Sequence, residues 1–448
     1  MGRKGLGLTP RWAFAIVANS AMLAGSAFGG APSETVIYTF QGGADGATPG
    51  NGVIADSAGN LYGTTEAGGG GACSTPSSTG CGTVFELTPP PAPGGTWKET
   101  VLYAFQGGTD GAFPNGLILD QAGNLFATTA GGGSSTSCSS AGCGTLFELS
   151  PPSGAGGSWT KTVLYSFQGG TDGFDPSGSL VADSAGNLYG ATFYGGPKHC
   201  PDCGTIFEFV RPAPCGSWTK ATLYTFQRSF GSHLGGDTLG DGQNPQGVTF
   251  DDQGNLFGTT LYGGFCQNFE GGSCWGAIFE VSPPAQPGGS WSERVLHRFD
   301  PIAQNPASGV VIDNTGALYG ATFFEVYRLT EERLLEDILS FEDRSPLGGY
   351  PWAGVILGPD GILFGVAQGG TCCGVTFELQ PPAQRGGAWT NTILHNFTGS
   401  ANGDGELPNV NLLLGADGNL YGTTWRGGSQ GCQYYGSVGC GTVFQVVP

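Results

Sequence analysis

Five aspartates share one motif, D-G-x-x-P: Asp45, Asp110, Asp172, Asp241 and Asp404. An Asp-Gly pair is first of all a turn. Five such carboxylates presented on one face could also hold a cation or a basic partner. Asn402, Asp404 and Glu406 form the densest oxygen cluster and the best place for calcium, whose ligands are oxygens. No other cofactor or metal is implied. Another set of carboxylates, Glu86, Glu148, Glu208, Glu280 and Glu378, recurs at one place in a longer repeat and reads as structural. A feature needed once should break a repeat, and a group of aromatic residues does: Tyr194, Tyr262, Phe265, Trp275, Trp352, Trp425, Tyr434 and Tyr435. An insertion at 228–240, carrying His233 and Asp237, breaks it too. Exposed rings beside carboxylates suit a sugar or a protein surface. Tyr262, Trp352 and Trp425, with the five aspartates, therefore make up the candidate ligand-binding set. A glycosidase would need two carboxylates about 5 to 9 Å apart. The four histidines (His199, His233, His297, His395) are scattered, and no catalytic set emerges.

The 13 cysteines carry a second kind of chemistry. Cys73/Cys81, Cys138/Cys143, Cys200/Cys203, Cys266/Cys274 and Cys432/Cys440 are close pairs, which in an exported chain read as local disulfides. Cys372 and Cys373 are adjacent, and either bond to each other or stay reduced. Cys215 has no evident partner. The C-x-x-C spacing of Cys200 and Cys203 would also suit a metal, but no second such pair or histidine pair accompanies it.

These residues hang on a repeat whose centre reads D-S-A-G-N-L-Y-G-A-T at 183–192. Its glycine recurs at Gly59, Gly123, Gly186, Gly254, Gly316, Gly361 and Gly418, about 45 to 68 residues apart, a spacing typical of repeat architectures. Each copy holds four β-branched or aromatic runs bounded by turn residues, the pattern of short strands. Four strands per unit, repeated radially, make a β-propeller blade. The apolar G-x-L-x-x-D run reads as strand A, buried on both faces and innermost. L-Y-G-T-T is strand B, T-V-F-E-L is strand C, and T-V-L-Y-x-F is the outermost strand D. The count is seven of each, with strand D ending at Phe40, Phe105, Phe167, Phe226, Phe299, Phe341 and Phe397. The fold class is therefore all-β, a seven-bladed β-propeller of four-stranded blades spanning 33–448. The chain opens on a strand D and stops on a strand C, so the N-terminal strand at 36–40 should join the last blade beside 442–446. Ring closure hides two edges that would otherwise aggregate. The B–C and D–A loops share one face, and twelve of the cysteines fall in or beside B–C loops.

The Trp residues of G-G-x-W (Trp97, Trp159, Trp218, Trp291, Trp389) recur before strand D and read as inter-blade packing. One segment conflicts with the register: 330–339, T-E-E-R-L-L-E-D-I-L, looks helical with a capping-box start. The register asks for a strand ending at Phe341, leaving room for one helical turn before it.

Arg3, Lys4 and Arg11 precede an apolar run at 12–23 and small residues, so 1–27 reads as a secretory signal peptide, cleaved after Ala27 or Ala31. No later run is long enough to span a membrane. The expected location is secreted, cell-surface or periplasmic, and the expected state a monomer. A net charge of −19 makes nucleic acid a poor partner. Charged residues are only 11% of the chain, so Gly, Ser and Thr carry the surface.

The recurring D-x-x-G-N-L-Y-G-T-T, G-G and C-G-T-V-F-E-L-T-P elements resemble the GloVer tandem-repeat family, exported bacterial repeats found with varied cell-surface anchors. The resemblance covers about 33–448, and the copies at Ala317 and Ile362 depart from it at the Asn position. It implies export and repeat architecture, and no catalytic residues. The functional expectation is an exported binding or surface scaffold for a glycan or a cell-surface protein. The alternatives are a carbohydrate-active enzyme, glycosidase or lyase, and a purely structural surface protein.

Overall fold

The computed structural model describes residues 31–448 apart from 76–77, 93, 139–140, 155, 214–215, 228–237, 267–274, 287, 301–304, 342–348, 370–371, 385, 429–430 and 435–436. The expected signal peptide, Cys215, the Cys266–Cys274 pair and the inserted His233 and Asp237 thus fall on or involve residues outside those described.

Seven four-stranded antiparallel sheets form the ring. In blade 1, strands A to D are Val53–Ala55, Leu61–Thr65, Thr83–Thr88 and Lys98–Ala104. Blades 2 to 6 repeat that order, with strand D at Thr160–Ser166, Thr219–Thr225, Ser292–Arg298, Leu335–Ser340 and Thr390–Asn396. Blade 7 takes strands B and C from Leu420–Gly427 and Thr442–Val447, and its strand D is the N-terminal Ser33–Thr39. Pairing there runs from Ser33 opposite Val447 to Thr39 opposite Thr442, which is the expected closure.

Local chemistry explains the A–B turns. Asp56 Oδ1 accepts the N–H groups of Ala58 and Asn60 at 2.8 and 2.9 Å, and Oδ2 accepts Asn60 Nδ2 and the Tyr62 hydroxyl. Gly59 supplies φ +84°, which glycine adopts without steric cost. Asp120, Asp183 and Asp251 repeat the arrangement. In blade 5 the backbone N–H of Ala317 still bonds Asp313 at 3.0 Å, so losing the Asn side chain leaves the turn intact.

Strand B is buried throughout, and Gly63 lies under the Phe85 ring of strand C; a Cβ there would meet Phe85 Cζ at 2.4 Å. Strand A is innermost but short, and its burial is one-sided. Val53, Leu117, Leu180 and Leu412 are buried, while Ile54, Ala55, Ile118 and Leu119 are half-exposed. The even apolar pattern of that run overstated its burial.

The D–A segments join the sheets as well. Thr48, Phe113, Asp175, Asn244 and Leu407 each precede a proline and each adopt φ of 55–60°, a region that non-glycine residues seldom occupy. Their N–H groups bond the carbonyls of Cys440, Cys81, Cys143, Cys203 and Cys373 in the preceding blade, at 2.8–3.0 Å. The proline then packs on the following glycine: a Cβ on Gly82 would stand 2.6 Å from Pro114 Cδ. The C-G of one blade and the x-P of the next are thus two halves of one latch. The G-G-x-W tryptophans pack between blades as expected, Trp97 on Tyr421, Trp159 on Tyr62, Trp218 on Phe126, Trp291 on Tyr189 and Trp389 on Tyr319, with centroids 5.9–6.4 Å apart.

The helical turn allowed before 337 is not formed. Thr330 starts a hairpin: its N–H bonds the Leu334 carbonyl, its hydroxyl accepts the Leu334 N–H, and Arg333 takes φ 62°. Strand pairing of 325–329 with 335–340 overrides the local helical pattern.

Candidate functional site

Every strand D carries a bulge. In blade 1, Val101 faces Phe85 and Tyr103 faces Val84, leaving Leu102 unpaired. The extra residue swings Tyr103 onto the opposite sheet face from Glu99 and Val101, toward the next blade. From that blade a residue of its own strand D points back. The two meet at a D-G-x-x-P aspartate, which lies between them.

All five candidate aspartates are held this way. The hydroxyls of Tyr38, Tyr103 and Tyr165 donate to Asp45, Asp110 and Asp172 at 3.1, 2.7 and 2.9 Å, and Tyr224 donates to Asp241. His395 Nε2 replaces the phenol against Asp404 Oδ2, at 3.2 Å. Backbone N–H groups of Gln41, Gln106, Gln168, Gln227 and Thr398 complete the clamp at 2.7–2.9 Å. The motif therefore fixes each D–A loop to strand D before it.

The third partner differs by blade. In blades 2 and 3 it is a buried lysine. Lys161 Nζ lies 2.8 Å from Asp110 Oδ1, and Lys220 Nζ lies 3.0 Å from Asp172 Oδ1. Each ammonium also donates to its aspartate's main-chain carbonyl and lies over phenylalanine rings. In blades 1, 4 and 7 the partner is Glu99, Glu293 and Glu34, and each has a buried Oε1 with no hydrogen-bond donor. Burial first, and then Asp45 beside it, push the Glu99 carboxyl up to about 7. Burial and Asp241 do the same to Glu293, against Arg298. Burial raises Glu34 to about 7, with His395 opposing and Asp404 reinforcing. Burial works to raise Asp404 as well, but hydrogen bonds from His395, Thr398 and Gly405 outweigh it and hold the group below its ordinary value.

These glutamates and lysines were not singled out from the sequence. The signal was present: a charged residue stands four positions before the tyrosine or histidine of strand D in blades 1, 2, 3, 4 and 7. Its partner, some 50 residues away, was not readable. Of the proposed calcium oxygens, Asp404 turns to His395, Thr398 and Gly405, while Asn402 Nδ2 donates to the Thr398 carbonyl.

The candidate aromatics fall at separate seams. Trp352 is 39% and Tyr350 38% exposed, with ring centroids 5.8 Å apart, and Trp352 lies 5.7 Å from Phe323. Phe324 packs on Tyr350 at 5.6 Å. This shelf forms where blade 5 passes from strand B to strand C by a tight turn, so no Gly-rich loop covers it. Tyr262, 44% exposed, stands near Tyr194, which stacks on Phe174 at 5.1 Å. Trp425 is half-buried, stands beside Glu66 and lies against Arg426; burial raises the Glu66 carboxyl to about 7, with Trp425 opposing.

Five disulfides staple the same face: Cys73–Cys81, Cys138–Cys143, Cys200–Cys203, Cys372–Cys373 and Cys432–Cys440. The adjacent pair is thus bonded. Such bonds belong to an extracellular or periplasmic setting. Among the described residues no helix is long and apolar enough to cross a membrane.

Some solved structures are similar to this chain at low identity. A gluconolactonase from Xanthomonas campestris is 15% identical over 81% of this chain and 89% of its own, with a TM-score of 0.40. A fungal alcohol oxidase with copper is 15% identical over 93% and 76%, TM-score 0.49. PhoX of Pseudomonas fluorescens, in complex with vanadate, is 9% identical over 93% and 94%, TM-score 0.46. None of these says what this chain does. No curated protein is a significant match. The family described as the Gloeobacter/Verrucomicrobia repeat matches residues 19–239 and 139–325, spans that begin in the N-terminal segment, run through blades 1 to 4 and enter blade 5. The chain belongs to the Gloeobacter/Verrucomicrobia repeat family.

Proposed function

We propose that this chain is an exported binding propeller that takes a glycan on its B–C/D–A face, with residues 1–27 removed as a signal peptide. The observation that carries the reading is the shelf of Phe323, Phe324, Tyr350 and Trp352, two of whose rings are more than a third exposed. Clustered exposed rings mark an interaction site more often than chance exposure, and flat amphipathic rings suit the C–H faces of a pyranose. A net charge of −19 favours neutral or cationic sugars over anionic polysaccharides. The five aspartates fix their own D–A loops rather than offering free carboxylates, and none lies in the segment that bears Tyr350 and Trp352.

A glycan array on the secreted protein tests this. Binding to neutral or amino sugars that falls at least tenfold in Trp352→Ala and Tyr350→Ala, and persists in Tyr262→Ala, supports the shelf. Binding that survives both shelf substitutions moves the site elsewhere, and an array without hits leaves the structural reading. N-terminal sequencing of the secreted protein checks the cleavage: a start at Phe28 or Pro32 is expected, and an intact Met1 contradicts it.

A further inference from the structure

The seam that closes the ring differs from the other four in its donor atoms. Its three groups come from three places: Glu34 from the N-terminal strand Ser33–Thr39, His395 from strand D of blade 6, and Asp404 from the loop leading into blade 7. His395 Nε2 is 3.2 Å from Asp404 Oδ2 and 3.8 Å from Glu34 Oε2, and all three donor atoms lie within 4.8 Å of one another. Donors around a tetrahedral zinc ion, with bonds of about 2.0–2.1 Å, stand about 3.3 Å apart. The site is already close to that spacing.

Two independent observations point to a cation at this position. In blades 2 and 3 the corresponding position holds a lysine ammonium, placed against the aspartate carboxylate by Lys161 and Lys220. At the closing seam that lysine is replaced by Glu34, so the charge that balanced the aspartate is gone and a second carboxylate stands in its place. The Glu34 side chain is only 9% exposed, and its Oε1 has no hydrogen-bond partner. A buried acceptor left without a donor is costly, and a carboxylate pair facing a histidine is a recognised way to hold a metal.

The donor types narrow the ion. One imidazole and two carboxylates suit zinc or a neighbouring divalent transition metal, whereas calcium and magnesium take oxygen ligands. The other Glu-bearing seams, Glu99 with Asp45 and Glu293 with Asp241, present a tyrosine where this one has His395. Thr398 supports the site from behind, donating its N–H and hydroxyl to Asp404 at 2.7 and 3.0 Å, the kind of outer contact that orients a metal ligand.

We propose that Glu34, His395 and Asp404 bind one divalent transition-metal ion, zinc fitting best, which clasps the N-terminal strand to the last two blades. The ion adds to the strand pairing of Ser33–Thr39 with Thr442–Val447 and holds the folded ring by mass action, since an unfolded chain does not assemble the three ligands.

Titrating zinc into the EDTA-treated, fully oxidised full chain, by calorimetry and by thermal melting, tests it. Full oxidation of 13 cysteines still leaves at least one thiol, so alkylating the oxidised chain removes thiol ligands from consideration. One zinc per chain and a melting temperature raised by several degrees are expected. His395→Tyr installs the residue that Tyr38, Tyr103 and Tyr165 supply at equivalent seams, so it should fold; Glu34→Gln keeps size and removes the charge. Both should weaken zinc binding at least tenfold, with melting in EDTA close to that of the parent for His395→Tyr. Cobalt in place of zinc should give visible d–d bands in the parent and none in either variant. A parent chain that takes up no zinc, or a stoichiometric zinc that either variant retains, overturns the proposal. The glycan array is read separately, so failure here leaves the shelf untouched.

Discussion

Lys161 reaches from strand D of blade 2 to place its ammonium 2.8 Å from the Asp110 carboxylate at the seam with blade 1, with its side chain only 3% exposed. Burial draws the lysine pKa down and Asp110 opposes it. Burial would raise Asp110, but Lys161, Tyr103 and the Gln106 N–H outweigh it and hold it low. The pair is one form of a seam that the ring uses five times, with the third partner set blade by blade.

Removing one partner of a buried pair is costly because the other charge stays behind. Lys161→Met should destabilise the chain by about 3 kcal/mol, read as a lower denaturant midpoint at unchanged slope. The double variant Lys161→Met/Asp110→Asn should recover part of that loss. A single substitution costing under about 0.5 kcal/mol, as at exposed pairs, would show that the seam carries no electrostatic load.

The Glu-bearing seams set the pH response. Glu34, Glu99 and Glu293 have folded pKa values of about 7, as do Glu66 and Glu325, against ordinary values of 4.5. Between those limits the folded state binds more protons than the unfolded one, so stability falls as pH rises. The contribution is fully present below pH ~4.5 and lost through pH ~7. The melting temperature is therefore expected to be higher at pH 5 than at pH 8. Glu99→Gln, which cannot ionise, should flatten the slope. A melting temperature that climbs from pH 5 to pH 8 would contradict these assignments.

How much of this was legible follows from where each contact lies along the chain. The A–B turn was readable because Asp56 caps Ala58 and Asn60, its near neighbours. Blade count, ring closure and the packing of Trp97 followed from that repeat. The seams were not readable, since Lys161 and Asp110 stand 51 residues apart and meet only because a bulge at Leu102 turns Tyr103 to the other face. Nothing in T-V-L-Y marks that bulge. The pre-proline residues in the positive-φ region were hidden too, because the Phe113 N–H finds its acceptor, the Cys81 carbonyl, in another blade. The helical pattern at 330–339 misled because Arg333 folds a hairpin that only strand pairing selects.

The disulfides give a count that mass spectrometry can check. Ten of the 13 cysteines are bonded among the described residues, so alkylation of the denatured, unreduced protein should label at most three. Closing the Cys73–Cys81 loop, with a sequence separation of 8, is worth about 2–3 kcal/mol in the chain-entropy model, so Cys73→Ser/Cys81→Ser should lower stability by that much and leave the ring assembled. Five or more labelled thiols would contradict the stapled face.

Ring closure is the most demanding test of the architecture. Phe40, which ends the N-terminal strand, is fully buried against Phe85 at 5.1 Å, and its N–H bonds the Gly441 carbonyl at 3.1 Å. One residue thus joins the N-terminal strand to blade 1 through its ring and to the segment before the last strand through its N–H. Phe40→Ala should cost about 3–5 kcal/mol, the usual penalty for emptying a core aromatic site. Deleting 33–41 should cost more, because it removes that side chain, the buried Ile37 and every pairing to Thr442–Val447, leaving the last strand C as an open edge that invites self-association. The deletion should therefore lower the melting temperature more than Phe40→Ala does, and should also shift the protein from monomer to aggregate in size-exclusion chromatography with light scattering. A monomeric deletion variant that melts with the parent would mean the ring is held without its closing strand.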